Sequence, residues 1–189
     1  MASINFKIIK NFFSKEELNI LQPYCYHRLN SDKDYVLDAQ SFSPSWYKDS
    51  LMNSFLNLKL NLMKKETGLE LLPTYTYWRY YVFGATLSQH TDREACEISI
   101  SACVKKYDDW PLIIEGKKIE LEEGEALMYA GVDQLHGRPG VYKGDGMAQV
   151  FFHYVDKNGP YEKYAYDALR EFVLQKEEFK IGNIKKYDG

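Results

Sequence analysis

The sequence predicts a mainly β fold, a sandwich or barrel of short strands flanked by helices. Three observations predict it. Between Pro73 and Asp156, apolar and polar residues alternate in short runs broken by glycine, the period-two signature of half-buried strands. No helical pattern separates those runs, as a parallel βαβ sheet would require. Aromatic residues make up 15% of the chain, with 16 tyrosines, a bias toward side chains that suit pleated surfaces and line pockets.

The elements follow in order. "INFKIIKNFF" reads as a short strand or extended lead-in. Ser14 then precedes Glu17 in the S-x-x-E arrangement of a capping box and opens a helix with Leu18, Leu21 and Cys25 on one face. The polar stretch from Asn30 to Ser45 is a loop with room for one short strand. A second helix is predicted from Trp46 to Thr67, where Leu51, Phe55, Leu58 and Leu62 recur at helical steps and Gly68 is a natural stop. This helical lead-in covers residues 1–72. After Pro73, "TYTYWRYYVF" is β-branched and aromatic. "EISISACV" alternates Ile98, Ile100, Ala102 and Val104 against Ser99, Ser101 and Cys103. With "PLIIEG", "KKIELEEG", "EALMYAG" and "AQVFFHYV", the section 73–156 reads as seven or eight strands. A last helix is expected over residues 159–180, with Tyr164, Ala168 and Phe172 on one face, before a frayed "KIGNIKKYDG". No repeat or linker divides the 189 residues, a length that suits one domain with one sizeable core.

Composition excludes several functions. The formal net charge is −3, so no global basic field draws in nucleic acid or anionic lipid, and no basic stripe interleaved with aromatics suggests a nucleic-acid groove. No apolar run is long enough to span a bilayer, and the amino terminus lacks the apolar core of a signal peptide. Cys25, Cys96 and Cys103 form no CxxC pair and leave an odd number. That argues for a reduced, cytoplasmic protein and against a structural zinc.

The chemistry centres on "ATLSQHTDREACEIS", with His90 and Asp92 one residue apart. With four histidines in the chain, such a tripeptide arises by chance often enough to decide nothing alone. In a strand, however, residues i and i+2 face the same side, so both side chains can aim at one point. His136 in "DQLHGRPG", several strands later, supplies a third ligand. Two histidines and a carboxylate form the facial triad that binds iron(II) and leaves positions open. Each imidazole should then donate its second ring N–H to a carbonyl or carboxylate.

Two further patterns surround the triad: Tyr81-x-x-Gly84-x-x-Leu87-x-x-His90-x-Asp92, and "EEGEALMYAG" with Gly124, Ala126 and Tyr129 ahead of His136. Together they resemble the iron(II)- and 2-oxoglutarate-dependent dioxygenases, in particular the prolyl-4-hydroxylase-like branch, and "IIKNFFSKEELNIL" looks like the helical lead-in of those proteins. The resemblance implies a double-stranded β-helix, a jelly roll of the cupin type, with flanking helices. It implies Fe(II) on His90, Asp92 and His136, with 2-oxoglutarate and O2 taking the open positions. The reaction would hydroxylate a C–H bond and release succinate and CO2. Asp92 matters here, because related halogenases lack that carboxylate to make room for halide.

The match breaks at one place. The family places a Lys or Arg about ten residues after the distal histidine, to bind the far carboxylate of 2-oxoglutarate. Here Gly146 and Met147 stand there, yet a buried carboxylate needs a cationic or multi-donor partner. Arg138 is the best substitute: it lies two residues after His136 and its guanidinium can grip a carboxylate bidentately. Lys105, on the face of Ser101 and Cys103, is the second candidate, and Lys143 on a turn reads as solvated. Tyr81 matches the tyrosine that lines the cosubstrate pocket, or is a core aromatic. Arg79 is read as either cavity-facing or solvated, Arg93 and Glu94 as a loop pair in preference to a substrate contact, His153 as a packed strand histidine, and His27 as a surface residue. The competing readings are a non-catalytic jelly-roll binding module and a metal-binding cupin that uses no 2-oxoglutarate. The substrate, a small molecule or peptide, and the oligomeric state are not legible.

Overall fold

The alternating stretch after Pro73 folds into strands on two facing sheets. The structure is a computed structural model that describes residues 4–31 and 34–167. Its chain order is β1 (Lys7–Ile9), α1 (Lys15–Ser31), β2 (Val36–Leu37), β3 (Pro44–Tyr47), α2 (Ser50–Thr67), β4 (Leu71–Tyr81), β5 (Leu87–His90), β6 (Ile98–Lys106), β7 (Leu112–Ile114), β8 (Lys117–Ile119), β9 (Ala126–Tyr129), β10 (His136–Arg138) and β11 (Met147–Asp156). The larger sheet has the order β1-β9-β6-β11-β4-β3-β2 and the smaller β5-β10-β7-β8. Every pairing is antiparallel. From β4 onward the chain passes back and forth between the sheets, the winding of a double-stranded β-helix. The predicted seven or eight strands are the eight from β4 to β11.

Period-two alternation decides which side chains meet. Trp78, Ile100, Ala102, Val104, Val150 and Phe152 face the helices and form the main core with Leu21, Met52, Phe55 and Met63. The alternate residues, such as Tyr77, Arg79, Phe151 and His153, turn toward the smaller sheet and line a cavity between the sheets. Two faces of one sheet thus do two jobs: one holds the fold together, the other carries the site.

The helices are capped as the sequence predicts. Ser14 N–H donates to Glu17 Oε2 at 2.8 Å and Glu17 N–H to Ser14 Oγ at 3.2 Å, both halves of the capping box. Gly68 ends α2 in the left-handed conformation, at φ 72°. Two expectations are corrected. The second helix begins at Ser50 rather than Trp46, because Asp49 caps it by accepting from Leu51 N–H and Met52 N–H. Trp46 belongs to β3 and stacks on Trp78 with centroids 3.9 Å apart. The buried face of α2 is Met52, Phe55, Leu56 and Met63, while Leu58 is 64% exposed. Four buried side chains at about 1.5–3 kcal/mol each outweigh one exposed leucine and set the helix rotation. Of the expected C-terminal helix, the described part runs to Asp167 and contains a 3-10 turn, Glu162–Tyr164; Ala168 and Phe172 lie outside the described residues. Among the described residues, no helix is long and apolar enough to cross a membrane.

Candidate metal centre

His90 closes β5 and His136 opens β10, and the two are direct partners across the smaller sheet. Cross-strand pairing puts both imidazoles on one face, with ring centroids 4.5 Å apart. Each ring is oriented alike: Nδ1 lies 2.9 Å from Ser88 O in His90 and 2.8 Å from Gln134 O in His136. A carbonyl can only accept, so Nδ1 carries the proton and Nε2 presents its lone pair. The two Nε2 atoms are each 3.6 Å from Asp92 Oδ1.

Asp92 reaches this point by a different route from the one its spacing suggested. The strand stops at His90, and residue 92 stands in irregular chain. What holds it is its own N–H, donated to Gly131 O at 2.8 Å. The i, i+2 rule therefore named the right residue for an incomplete reason.

The donor set fits a divalent transition metal. Metal–ligand bonds of about 2.0–2.2 Å allow ligand atoms up to about 4.4 Å apart, and 3.6 Å separates Asp92 Oδ1 from each Nε2. That spacing is too long for a hydrogen bond, so the facing atoms are poised for an ion rather than for each other. The charge states also suit a ligand set. Burial pushes His90 below its ordinary value, and the neighbouring His136 adds to this, so the ring stays neutral. Burial works to raise the Asp92 carboxyl, but His136, His153 and the Ser99 hydroxyl outweigh it and hold it below the usual range.

The triad opens on a cavity of about 430 Å³, within the usual range for small-molecule sites. Tyr81 and Arg138 line it. Arg138 is 7% exposed, and its single hydrogen bond goes from Nη1 to Trp110 O. Its Nε has no partner, and no carboxylate pairs with it among the described residues. The guanidinium packs against the edge-to-face pair of Tyr81 and Trp110 rings, 5.5 and 5.3 Å from their centroids. A buried cation left without an anion is costly.

Lys105 is corrected. Its neighbours are Gln22, Tyr26 and Tyr80 on the helical side, and it pairs with Glu123 at 2.8 Å. The reason is a register shift: Cys103 pairs Gln149, but Lys105 pairs Ala148, the adjacent residue. The extra β6 residue breaks the alternation and turns Lys105 away from the face of Ser101 and Cys103. Lys143 is exposed, as is His27.

Three residues that sequence reasoning left undecided or called structural line the same cavity. Arg79 is buried and donates to Asp38 Oδ2 and Gln40 Oε1, both at 3.0 Å. Its place among Tyr75, Tyr77 and Tyr81, all odd-numbered on β4, was the signal. Arg93 donates to Tyr47 Oη at 3.1 Å and Asp167 Oδ2 at 2.6 Å, which fits a structural loop arginine. His153 is packed as expected, and burial pushes it down to about 4.

No family model and no curated protein matches the chain. Solved structures share its fold. A prolyl-4-hydroxylase from Pseudomonas putida aligns with TM-score 0.63 over 80% of this chain and 92% of its own, at 14% identity. The viral collagen prolyl hydroxylase of Paramecium bursaria Chlorella virus-1, solved as a 2OG complex, gives 0.59 over 79% and 94%, at 12% identity. A Burkholderia pseudomallei oxidoreductase of the 2OG-Fe(II) oxygenase family gives 0.64 over 82% and 85%, also at 12% identity. The chain therefore has the jelly-roll fold that these oxygenases share.

Proposed function

We propose that the chain is an iron(II)- and 2-oxoglutarate-dependent oxygenase that hydroxylates a C–H bond of a peptide or small molecule. One observation carries this reading: a His90, Asp92 and His136 cluster opens on the same cavity as a buried guanidinium that has no anion among the described residues. A dianionic keto acid fits both ends at once. It would chelate a metal through its keto-acid end and give its far carboxylate to Arg138, two residues along β10 from His136.

Iron, 2-oxoglutarate and O2 together would supply an oxidative decarboxylation to succinate and CO2, one oxygen atom of O2 ending in succinate and the other in the hydroxylated substrate. The chain's own residues do the rest. His90 and His136 present neutral Nε2 donors held in one tautomer by Ser88 O and Gln134 O. Asp92 lends one negative charge and so lowers the net charge of an occupied site. Tyr81, 0% exposed, and Trp110, 6% exposed, wall the Arg138 end from water, which strengthens the guanidinium–carboxylate bond. The other half of the cavity, toward Tyr47, Tyr75, Tyr77 and Phe151, is left for the substrate.

The same reading treats the chain as one domain working in the cytoplasm. All three cysteines are buried and free, which suits a reducing compartment. The net charge of −3 speaks for a small-molecule or peptide substrate rather than nucleic acid or membrane.

The test is succinate formation from 2-oxoglutarate with Fe(II), alongside metal titration of His90→Ala, Asp92→Ala and His136→Ala. All three should lose metal binding and turnover while keeping the circular dichroism of the parent. Retention of both in all three variants refutes the assignment. Metal binding without 2-oxoglutarate turnover favours the cupin reading instead.

A further inference from the structure

Asp92 has two carboxylate oxygens, and only Oδ1 faces the histidines. Oδ2 is 3.0 Å from the Ser99 hydroxyl. Ser99 lies on β6, is 0% exposed, and has three other polar neighbours: Cys96 O at 3.1 Å, His153 Nδ1 at 3.0 Å and the Tyr129 hydroxyl. A hydroxyl has one proton and two lone pairs. Carboxylate and carbonyl can only accept, so they already compete for that one proton. His153 must therefore donate Nδ1–H into a lone pair of Ser99 Oγ, which leaves the hydroxyl proton for the other side. Of the two acceptors there, the charged Asp92 oxygen is favoured, because charge-assisted bonds are roughly twice as strong as neutral ones.

Topology places these groups together. Ser99 and His153 are direct partners in the β6–β11 ladder, both on the cavity face. The His153 ring is backed by Tyr75, with centroids 4.6 Å apart. Gly131 closes the remaining side: a Cβ there would lie 2.5 Å from Ser99 Oγ and 2.6 Å from Asp92 Oδ2. The carboxylate is held by Ser99 and by the bare backbone of Gly131, to whose carbonyl the Asp92 amide donates.

We propose that His153 and Ser99 form a positioning relay that withholds Asp92 Oδ2 from the metal, so that Asp92 binds through Oδ1 alone. This rests on the metal-centre reading above. Its consequence is a coordination count. A carboxylate bound through both oxygens would occupy a position that a chelating cosubstrate or O2 needs, whereas a singly bound one leaves three open.

Cobalt(II) is the probe, because it binds such N/O sites without oxygen chemistry and its visible spectrum reports coordination number. Ser99→Ala removes the donor to Asp92. His153→Phe removes the donor to Ser99, and His153→Asn restores an N–H close to the Nδ1 position. Ser99→Ala and His153→Phe should weaken cobalt binding on the order of 10- to 100-fold and change the band intensities, with the melting point of the metal-free protein preserved. His153→Asn should stay near the parent in both. Parental affinity and spectrum in Ser99→Ala and His153→Phe overturn the relay. If Ser99→Ala does not fold, the His153 pair decides, and equal behaviour of Asn and Phe overturns it. Failure of the parent to bind cobalt, or undiminished binding by His90→Ala, overturns the metal centre itself and the relay with it.

Discussion

Replacing Arg138 by Gln separates cosubstrate binding from folding, because the two respond in opposite directions. The guanidinium is 7% exposed, donates one hydrogen bond, to Trp110 O, and leaves Nε unpaired. In the metal-free protein it is a buried cation that the Tyr81 and Trp110 rings compensate by only about 0.5–2 kcal/mol each. Removing it should therefore leave thermal stability unchanged or raised. With cosubstrate bound, the same change removes one partner of a buried charge pair, a loss of about 2–5 kcal/mol. The middle of that range corresponds to about three-hundredfold in affinity. The assay is calorimetric titration of 2-oxoglutarate and of 2-oxobutyrate into the manganese(II)-loaded protein. The second ligand keeps the keto acid and lacks the far carboxylate. The parent should prefer 2-oxoglutarate by about three-hundredfold, and Arg138→Gln should bind the two nearly alike. A folded variant with the parental preference refutes the reasoning and moves the far carboxylate to another cation, with Arg79 the next buried one in the cavity.

Two further outcomes follow from the same side chains. His153, held at about 4 by burial against an ordinary 6.5, stays neutral in the folded state while the unfolded chain takes up a proton. Its contribution is complete above pH 6.5 and is lost between there and pH 4, about 3 kcal/mol in all; His90, also lowered by burial, acts in the same direction. Urea unfolding of the metal-free protein at pH 7 and pH 4 should show a smaller drop for His153→Asn than for the parent, and equal drops would contradict this. Gly131→Ala would place a methyl 2.4 Å from Cys96 O and 2.6 Å from Asp92 Oδ2. Overpacking of this kind costs about 1–3 kcal/mol, so the melting point and cobalt affinity should both fall, and a variant that matched the parent in both would show that the carboxylate is not pinned from that side.

The legible parts of the chain were those governed by short-range rules. The capping box at Ser14 and Glu17, the stop at Gly68 and the alternation of β6 up to Val104 each depend on a few neighbouring residues, and each is found where the pattern put it. The illegible parts depend on which surface a segment meets. Trp46 looked helical until Trp78 was there to stack on, and the face of α2 was chosen by the sheet beneath it. Lys105 defeated the alternation rule because one register shift reverses everything after it. In the site, His90, Asp92 and His136 could be named together because their spacing resembles that of a known family, and the structure brings them together. The Ser99–His153 pair could not, since it joins residues 54 apart that only the β6–β11 ladder brings together.

The missing cation on β11 has a physical cause. A Cβ at Gly146 would lie 2.2 Å from the Tyr80 hydroxyl and 2.6 Å from its Cζ, so while Tyr80 stands there no side chain fits. The next position, Met147, is 3% exposed and packs with Tyr81, Leu87, Trp110 and Tyr142. That apolar cluster includes the two rings that the Arg138 guanidinium packs against. The space beside those rings is therefore filled from β11 by a thioether, while the positive charge arrives from β10 on the opposite sheet. An anion in the cavity responds to where the charge is, not to which strand delivers it. Seen this way, Gly146, Met147 and Arg138 are one coordinated set: the small residue admits Tyr80, the methionine seals the wall, and the arginine restores the charge that both positions lack.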